Sequence, residues 1–409
     1  MSKSLFGLPK KVIHCSKCLM TNQKPFSVNE TKNNKSSKKI GLQFNLYNIC
    51  AACEYSEQKE NGKINWKKRE KKLRELLNKF RGKDGNYDCI VSGSGGKDSS
   101  TISHILKYKY KMNPLTVTYS PLLYTKIGFQ NLRSWIYEGG FDNILFTPNG
   151  KVSSILCKEA FKNLLHPMQP FKFGIKSIAA KIALKYNIKL IMFGEPYSEY
   201  GSEDSSKASK PSYDINWYIN NSDQIFFGGV HYKELLKKYK FLSKGDFKAF
   251  MPLTSKDLAE SKIKNLQIEY LGWYLKWNPQ EIYYYASRNC GYFPDTERTD
   301  GTYGRYAAID DKMEWLHYYT HYIKFGIGRT RFDASQEIRS GHITRDEGIK
   351  LCKKFEGEYP KRYLKDCFDF MNLSETEAHK IIDRFRSPHL WKKKNKKWLR
   401  IQELPEILK

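Results

Sequence analysis

The sequence has few acidic residues for its size and no long apolar run. Across 409 residues, 71 Lys and Arg stand against 43 Asp and Glu, which gives a formal net charge of +28. No apolar run approaches the roughly 18 residues that a membrane span needs, and residues 1–10 lack the apolar core of a secretory signal. We therefore expect a cytoplasmic protein with no membrane span. The positive charge attracts anions but does not choose among nucleic acid, membrane surface and small molecules.

Two common phosphate-binding motifs are also absent. The sequence lacks the Walker A pattern G-x-x-x-x-G-K-[ST], and the glycines of residues 92–100 do not have the dinucleotide spacing G-x-G-x-x-G. Those residues, S-G-S-G-G-K-D-S-S, instead join an apolar run at 87–91 to a helical pattern beginning near Ile102. Glycines let the backbone approach an anion, and the free N–H groups of a helix N-terminus bind it. The strand-loop-helix context favours a phosphate-binding loop over an ordinary Gly/Ser turn.

The order S-G-G-x-D-S resembles the pyrophosphate loop of the PP-loop ATPases, the adenine nucleotide alpha-hydrolase-like superfamily. Enzymes of this superfamily cleave ATP to AMP and pyrophosphate and adenylate a carbonyl or amide oxygen. The resemblance implies an ATP site at this loop. It also implies a PP-loop type of fold.

Cysteine usage argues against a disulfide framework and for a metal site. Nine cysteines is an odd number, and the context is not secretory. Two C-x-x-C pairs can complete one tetrahedral sulfur shell, so we predict structural zinc, with iron–sulfur or redox use as the alternative. The predicted ligands are Cys15, Cys18, Cys50 and Cys53. We expect residues 29–39 between the pairs to form an extended loop and Cys89 to be buried, and we assign no chemistry to the remaining cysteines.

Short apolar runs alternate with helical patterns from residue 87 onward. Strands are predicted at residues 87–91, 115–119, 143–147 and 189–193, with helices at residues 129–137 and 175–186 between them. This alternation predicts an α/β fold with a doubly wound parallel sheet. Ligands of such sheets bind beyond the carboxyl ends of the strands. The glycine-rich loop, Thr118, Gly194 and Glu195 would all reach that edge.

The sequence divides into three predicted segments. Residues 1–60 form a zinc-ribbon-like module with four cysteine ligands, residues 61–250 a PP-loop ATP pyrophosphatase domain, and residues 251–409 a mostly helical region for substrate or partner. An amphipathic linker helix is predicted over residues 61–81, and the polar segment 198–224 is typical of a long exposed loop. The pattern from about residue 255 is helical and aromatic. We interpret the basic clusters near residues 67–72 and 392–397 as solvated.

A dense polar segment at residues 295–345 points to one family within this superfamily. Its Arg and Lys side chains are suited to phosphate, although a salt-bridged helical surface is the alternative. Together with the paired C-x-x-C module, the S-G-G-K-D-S loop and the run L-I-M-F-G-E at 190–195, the stretch 324–341 resembles the N-acetyl sugar amidotransferase family. These are PP-loop enzymes of surface-polysaccharide and flagellin-sugar biosynthesis. The resemblance covers about residues 10–360.

The resemblance implies conversion of an acetamido group to an acetamidino group on a nucleotide-linked N-acetyl sugar, with ATP, Mg²⁺ and Zn²⁺ as cofactors. Lys97, Asp98 and Glu195 are the catalytic candidates, and Asp98 is the candidate magnesium ligand. Thr118 and Gly194 are placed near the adenosine. The remaining ATP-binding candidates are Ser92, Gly93, Ser94, Gly95, Gly96 and Ser99, and those for the sugar nucleotide are Arg305, Asp310, Lys312 and Arg329.

Ammonia needs a source that the sequence does not contain. The chain begins Met-Ser, so we expect no N-terminal cysteine nucleophile, and no internal segment matches a glutaminase nucleophile elbow. The resemblance implies a glutaminase subunit and a cyclase-like ammonia-channel subunit as partners. We do not expect nucleic acid as a partner. The alternatives are a tRNA-modifying PP-loop enzyme (a thiolase or lysidine-type synthetase), an asparagine synthetase-like ligase, and a scaffold with a degenerate loop.

Overall fold

A five-stranded parallel sheet forms the centre of the computed structural model, which describes residues 4–82, 85–201, 210–212, 219–221, 224–261, 263, 265–401 and 404–406. The strand order is β3-β2-β1-β4-β7, and every neighbouring pair is parallel. Two antiparallel hairpins, β5 with β6 and β8 with β9, lie outside this sheet. The strands are β1 (Cys89–Ser92), β2 (Pro114–Tyr119), β3 (Asn143–Phe146), β4 (Leu190–Phe193), β5 (Phe226–Phe227), β6 (Val230–His231), β7 (Gln267–Tyr270), β8 (Trp391–Lys394) and β9 (Lys397–Arg400).

Helices cover both faces of the sheet, as the apolar character of its central strands requires. Ile90 and Ile191 join the apolar cluster on the face of α5 and α6, whereas Val91 and Met192 join the cluster on the face of α2, α3 and α4. The helices before β4 are α1 (Ala51–Glu60), α2 (Trp66–Phe80), α3 (Lys97–His104), α4 (Lys126–Tyr137), α5 (Gly150–Leu164) and α6 (Gln169–Tyr186).

The second half of the chain is mostly helical. Its helices are α7 (Tyr232–Lys238), α8 (Ser255–Glu260), α9 (Leu271–Tyr274), α10 (Pro279–Cys290), α11 (Met313–Phe325), α12 (Arg329–Arg339), α13 (Arg345–Phe355), α14 (Leu364–Phe370) and α15 (Glu375–Arg384). Helix α10 packs on α3, and α12 packs on α13. Among the described helices, none combines the length and apolar character that crossing a bilayer requires.

The predicted α/β class, the doubly wound parallel sheet, the N-terminal four-cysteine module and the helical C-terminal region are confirmed. One strand of the central sheet was missed, because the region after about residue 255 was expected to be helical and yet contributes β7 beside β4. The two hairpins, β5 with β6 and β8 with β9, were not predicted either. The loop expected at 29–39 contains a 3₁₀ turn, Glu30–Lys32, whose Thr31 is buried. The segment 198–224 begins as a 3₁₀ turn with Ser198 and Glu199 buried, and most of the rest lies outside the described residues. The domain boundaries at 60 and 250 stay a prediction.

Candidate active site

The glycine-rich loop turns sharply between β1 and α3. Gly95 has a φ of +82°, and a Cβ there would lie 2.6 Å from the Cα of Leu132. A Cβ on Gly93 would lie 2.1 Å from the Cβ of Ser99. Gly96 occupies the N-cap of α3 and has no side chain with which to cap the helix. The first N–H groups of α3 therefore stay available to an anion, as a phosphate-binding loop requires.

Replacement of Gly95 by alanine is expected to weaken ATP binding at least about tenfold, because the new methyl group meets backbone atoms and forces the loop to move. Gly62→Ala is the matched control, since Gly62 has a φ of +76° and nothing within 4 Å of its would-be Cβ. Both variants share a strain of roughly 1 kcal/mol from the positive φ. Equal ATP affinity of the two variants in equilibrium binding measurements would contradict the assigned role of the loop.

Two acidic side chains and a lysine meet at the carboxyl edge of the sheet. Lys97 is buried, and its Nζ lies 2.7 Å from Oδ2 of Asp98, whose side chain is 39% exposed. Glu195 follows β4 and accepts a hydrogen bond from the Tyr200 hydroxyl. Burial and then the charge of Asp98 raise the pKa of Glu195 to about 7. Because Asp98 is partly open and has a second carboxylate nearby, these residues fit a magnesium ion, which prefers carboxylate and phosphate oxygens.

A cavity of about 510 Å³ connects this edge with the C-terminal region. Its lining includes Lys97, Asp98, Glu195 and Tyr200 from the sheet edge. It also includes charged and aromatic groups from later in the chain, among them Tyr283, Tyr303, Arg305, Tyr306, Arg329, Asp333, Glu337 and His342. A smaller cavity of about 150 Å³ shares Lys97, Asp98 and Tyr306 with the large one and adds Ser94, Gly96, Asn131 and Asp310. This volume and lining suit a small-molecule site.

The C-terminal side of the large cavity is preorganised by hydrogen bonds. The Arg329 Nε lies 2.8 Å from Oδ1 of Asp333, and the Thr302 hydroxyl donates to Oδ2 of Asp333 at 2.6 Å. Burial opposes the charge of Arg329, but Asp333 raises its pKa above the ordinary arginine value. The rings of Tyr283 and Tyr306 stack with centroids 4.5 Å apart. A fixed cation beside aromatic faces can hold an anionic ligand that carries a planar or sugar ring.

The structure brings most of the predicted site residues together. Those that line the two cavities are Ser94, Gly96, Lys97, Asp98, Glu195, Arg305, Asp310 and Arg329. Thr118 is buried in β2 and accepts a hydrogen bond from Asn143, and Gly194 is enclosed by Ile102 and Trp277. Neither lines these cavities. Lys312 also lies outside both linings and pairs with Asp366 at 2.6 Å.

Several lining residues were missed by the sequence reasoning. Tyr200 lies in the polar segment assigned to a loop, where nothing in the pattern marks it. Asp333 lies within the polar stretch that pointed to the family, four residues after Arg329, and this i,i+4 spacing of opposite charges is a readable signal on a helix. The tyrosines that line the large cavity come from three separate segments of the chain, so only the fold brings them together.

The four cysteines of the N-terminal module form a buried cluster. Their Sγ atoms all lie within 4.8 Å of one another, with Cys15–Cys53 at 3.8 Å and Cys18–Cys50 at 3.7 Å. Sulfurs bound to one tetrahedral zinc at 2.3 Å stand about 3.8 Å apart. The backbone N–H groups of Met20 and Cys50 point to the sulfurs of Cys18 and Cys15. The donor set fits a single zinc ion, whereas a cluster of several irons, each with its own thiolate, needs sulfurs farther apart.

Comparison with known proteins relates the C-terminal region to one family. Residues 300–405 match the family described as "LPS biosynthesis protein WbpG-like, C-terminal domain". An uncharacterized protein of Methanocaldococcus jannaschii, MJ1599, is 43% identical over 53 residues, which are 13% of this chain and 19% of that protein. The chain thus spans about a fifth of the length of this curated relative.

Three solved structures show a distant likeness. An NH3-dependent NAD synthetase from Campylobacter jejuni is 17% identical with a TM-score of 0.24, covering 36% of this chain and 59% of that one. The U34-tRNA thiolase NcsA from Methanococcus maripaludis, solved with its [4Fe-4S] cluster, is 13% identical with a TM-score of 0.32, covering 91% and 88%. The NMN synthetase of Francisella tularensis is 11% identical with a TM-score of 0.29, covering 77% and 96%.

Proposed function

We propose that this chain, whose residues 300–405 match the WbpG-like C-terminal domain of LPS biosynthesis proteins, is an ATP-dependent, AMP-forming amidotransferase. Its substrate is a nucleotide-linked sugar whose acetamido group becomes an acetamidino group. One observation carries the proposal: Lys97 and Asp98 of the phosphate-binding loop and residues of the WbpG-like region line the same 510 Å³ cavity. ATP and a sugar nucleotide can therefore meet in it.

The proposed chemistry explains why the ATP-binding loop and the sugar-nucleotide residues must line the same cavity. An amide carbonyl is a poor electrophile, so its oxygen first attacks the α-phosphorus of ATP, and the bond to pyrophosphate breaks. The product is an O-adenylyl imidate. Ammonia adds to the imidate carbon and AMP departs with the former amide oxygen. The net change converts ATP, amide and ammonia to AMP, pyrophosphate and amidine.

The residues of the cavity have separable roles in this reaction. The N–H groups of the loop and Lys97 hold the pyrophosphate as its charge develops. Asp98 would hold a magnesium ion, which supplies charge neutralisation at the phosphates when bound. Glu195, with its pKa raised to about 7 and its carboxylate fixed by Tyr200, can orient ammonia and accept a proton from it after addition. Arg329 and Arg305 bind the nucleotide part of the sugar.

Ammonia comes from a partner glutaminase in this proposal, delivered by a cyclase-like subunit. The five cysteines outside the four-cysteine cluster are all buried. Burial raises the pKa of Cys290 and Cys352 to about 12, and it raises that of Cys89, Cys157 and Cys367 as well. Such thiols are poor nucleophiles. The same burial disfavours the tRNA thiolase alternative, because thiolases of this superfamily generally carry reactive cysteines beyond the loop.

The proposal is tested by product analysis on anion-exchange chromatography. The protein is incubated with ATP, Mg²⁺, ammonium chloride and a panel of UDP- and CMP-linked diacetamido sugars. We expect AMP release that depends on one sugar, and a sugar product lighter by the difference between O and NH. AMP release with bulk tRNA and with none of the sugars would instead place the chain among RNA-modifying enzymes.

Replacement of Arg305 with alanine is expected to raise the KM for the sugar nucleotide about tenfold with little change in kcat, because this exposed guanidinium binds phosphate in ground and transition state alike. Its guanidinium donates to the Thr296 carbonyl at 3.2 Å. The control is Arg384→Ala, an exposed arginine on α15 outside the cavity lining. Steady-state kinetics at saturating ATP separates the two constants. An unchanged KM would remove Arg305 from the site.

A further inference from the structure

One face of α12 lines the 510 Å³ cavity along the length of the helix. Its members recur at intervals of three and four residues, which places them on one side of a helix, and the helix rises about 16 Å from the first to the last of them. This cavity face of α12 consists of Arg329, Asp333, Gln336, Glu337 and Ser340. Among them, the proposed reaction uses Arg329, held by Asp333, and leaves the others without a role.

The opposite face of α12 fixes the helix against the cysteine module. The backbone N–H of Leu19 donates to the Ser335 hydroxyl at 3.2 Å. The buried Arg331 side chain donates to the Leu19 carbonyl at 3.2 Å and pairs with Glu356 at 2.7 Å. Turning α12 about its axis would break these bonds. The cavity face is therefore presented by a rigid element, as a selective binding site requires.

The N-terminal end of the cavity face is suited to phosphate. Arg329 lies in the first turn of α12 and lines the cavity. Arg305 lies close to the same turn, because a Cβ on the preceding residue, Gly304, would be 3.8 Å from Oδ2 of Asp333. Two guanidinium groups near one helix end are suited to the oxygens of a phosphate group.

The C-terminal end of the cavity face has a different chemistry. Gln336, Glu337 and Ser340 are half-buried and supply an amide, a carboxylate and a hydroxyl. The Tyr303 hydroxyl donates to Oε2 of Glu337 at 3.0 Å. Within the described residues, the side chains of Gln336 and Ser340 make no hydrogen bond. A carboxylate repels phosphate but accepts hydrogen bonds from hydroxyl groups, and the amide both donates and accepts. These groups are suited to the hydroxyls of a sugar ring.

The C-terminal end of α12 is also the end that is bonded to the turn before the catalytic carboxylate's partner. Arg339 donates to the Glu199 carbonyl at 3.3 Å, and the Ser56 hydroxyl donates to the Arg339 carbonyl at 2.8 Å. Glu199 directly precedes Tyr200, whose hydroxyl donates to Glu195. A sugar bound at this end of α12 therefore has its acetamido group close to the carboxylate that is proposed to orient ammonia.

From the contrast between the two ends of this face, we infer that a nucleotide sugar lies along α12, with its phosphate at the two arginines and its sugar ring at the C-terminal end. Gln336 and Glu337 then determine which sugar is accepted, because a site built to hydrogen-bond hydroxyl groups rejects a ligand that lacks them. The ligand class is a nucleotide sugar whose ring carries free hydroxyls. The inference rests on the proposed function and assigns the direction in which its substrate binds.

Calorimetric titration of the full chain, without ATP or ammonia, tests the inference. The probes are UDP, CMP and the panel of UDP- and CMP-linked diacetamido sugars, and the quantity compared is the gain in affinity that the sugar adds to its nucleotide. We expect Gln336→Leu with Glu337→Gln to lower this gain at least about tenfold and to leave the affinity for UDP and CMP unchanged. Damage to the fold would lower the affinity for the nucleotides as well.

Gln58→Leu with Glu75→Gln is the matched control, since both side chains are exposed and lie outside the cavity lining. Gln336→Leu alone is the second test variant, because it leaves the hydrogen bond between Tyr303 and Glu337 in place. An undiminished sugar gain in both test variants, or no sugar gain with any member of the panel in the unmodified protein, would overturn the inference. Because the titration involves no turnover, a sugar gain that depends on Gln336 and Glu337 without any AMP formation would count against the proposed reaction alone.

Discussion

Replacement of Asp98 with alanine is expected to abolish sugar-dependent AMP formation, with a fall in kcat of roughly 10³-fold or more. Asp98 is the partly exposed carboxylate at the N-terminus of α3, and it faces the cavity beside Lys97. In the proposed mechanism, this change removes the carboxylate that would hold magnesium and with it the charge compensation of the pyrophosphate leaving group. The side chain is not part of the apolar core, so the variant should melt close to the unmodified protein.

The control for this prediction is Asp369→Ala, which removes an exposed carboxylate that pairs with Lys365 on α14. Chromatography of AMP, run at several Mg²⁺ concentrations, separates weaker metal binding from lost chemistry. Partial recovery at high Mg²⁺ supports the ligand role. Turnover of Asp98→Ala at the rate of the control would show that the magnesium assignment is wrong.

Removal of the metal from the four-cysteine cluster is expected to have the second large effect. We predict one zinc per chain in the purified protein and none in Cys50→Ser, with a loss of folding free energy on the order of 5 kcal/mol or more in the module. The matched control is Cys352→Ser, because Cys352 is buried outside the cluster. Elemental analysis and thermal melting give both readouts. Iron in place of zinc, with visible absorption, would contradict the single-ion geometry.

The consequence of metal loss should reach the active site through named contacts. Lys59 on α1 pairs with buried Glu199 at 2.8 Å, and Lys24 donates to the carbonyl of Tyr200. Arg339 of α12 lies near the cluster sulfurs and donates to the carbonyl of Glu199 at 3.3 Å. These bonds hold the turn that presents the Tyr200 hydroxyl to Glu195. We therefore expect loss of the predicted metal to disturb this turn and to lower the proposed activity.

The parts of the fold that local pattern determines were predictable. The strands near residues 90, 117, 145 and 191 are apolar runs with helices between them. The glycine-rich segment 92–100 forms the turn between β1 and α3, as its glycines predicted. Strand β7 was missed because it is short and contains Gln267 and Glu269. Glu269 is nevertheless buried, since Gln267 and Tyr274 donate hydrogen bonds to its carboxylate. Such tertiary compensation leaves no signal in the local sequence.

Site residues that belong to a recognisable motif at the end of a strand were predictable. Site residues whose position depends on a distant charged partner were not. Lys97, Asp98 and Glu195 follow strands that end at one edge, so topology alone brings them together. Lys312 follows Asp310 and Asp311 directly in sequence. Asp311 turns inward to accept the backbone N–H groups of Leu122 and Met313, whereas Lys312 turns to Asp366. Adjacent charged residues thus separate for reasons of long-range pairing that the sequence does not display.

Isotope transfer tests the central claim, adenylation of an amide oxygen in the shared cavity, most directly. The substrate is the sugar nucleotide identified by the product screen, carrying ¹⁸O in its acetamido carbonyl, and AMP is analysed by mass spectrometry after turnover with ammonium chloride. We predict that the label appears in AMP, because the amide oxygen leaves bound to the α-phosphorus. Unlabelled AMP together with an amidine product, or label retained in the sugar after AMP release, would contradict the account.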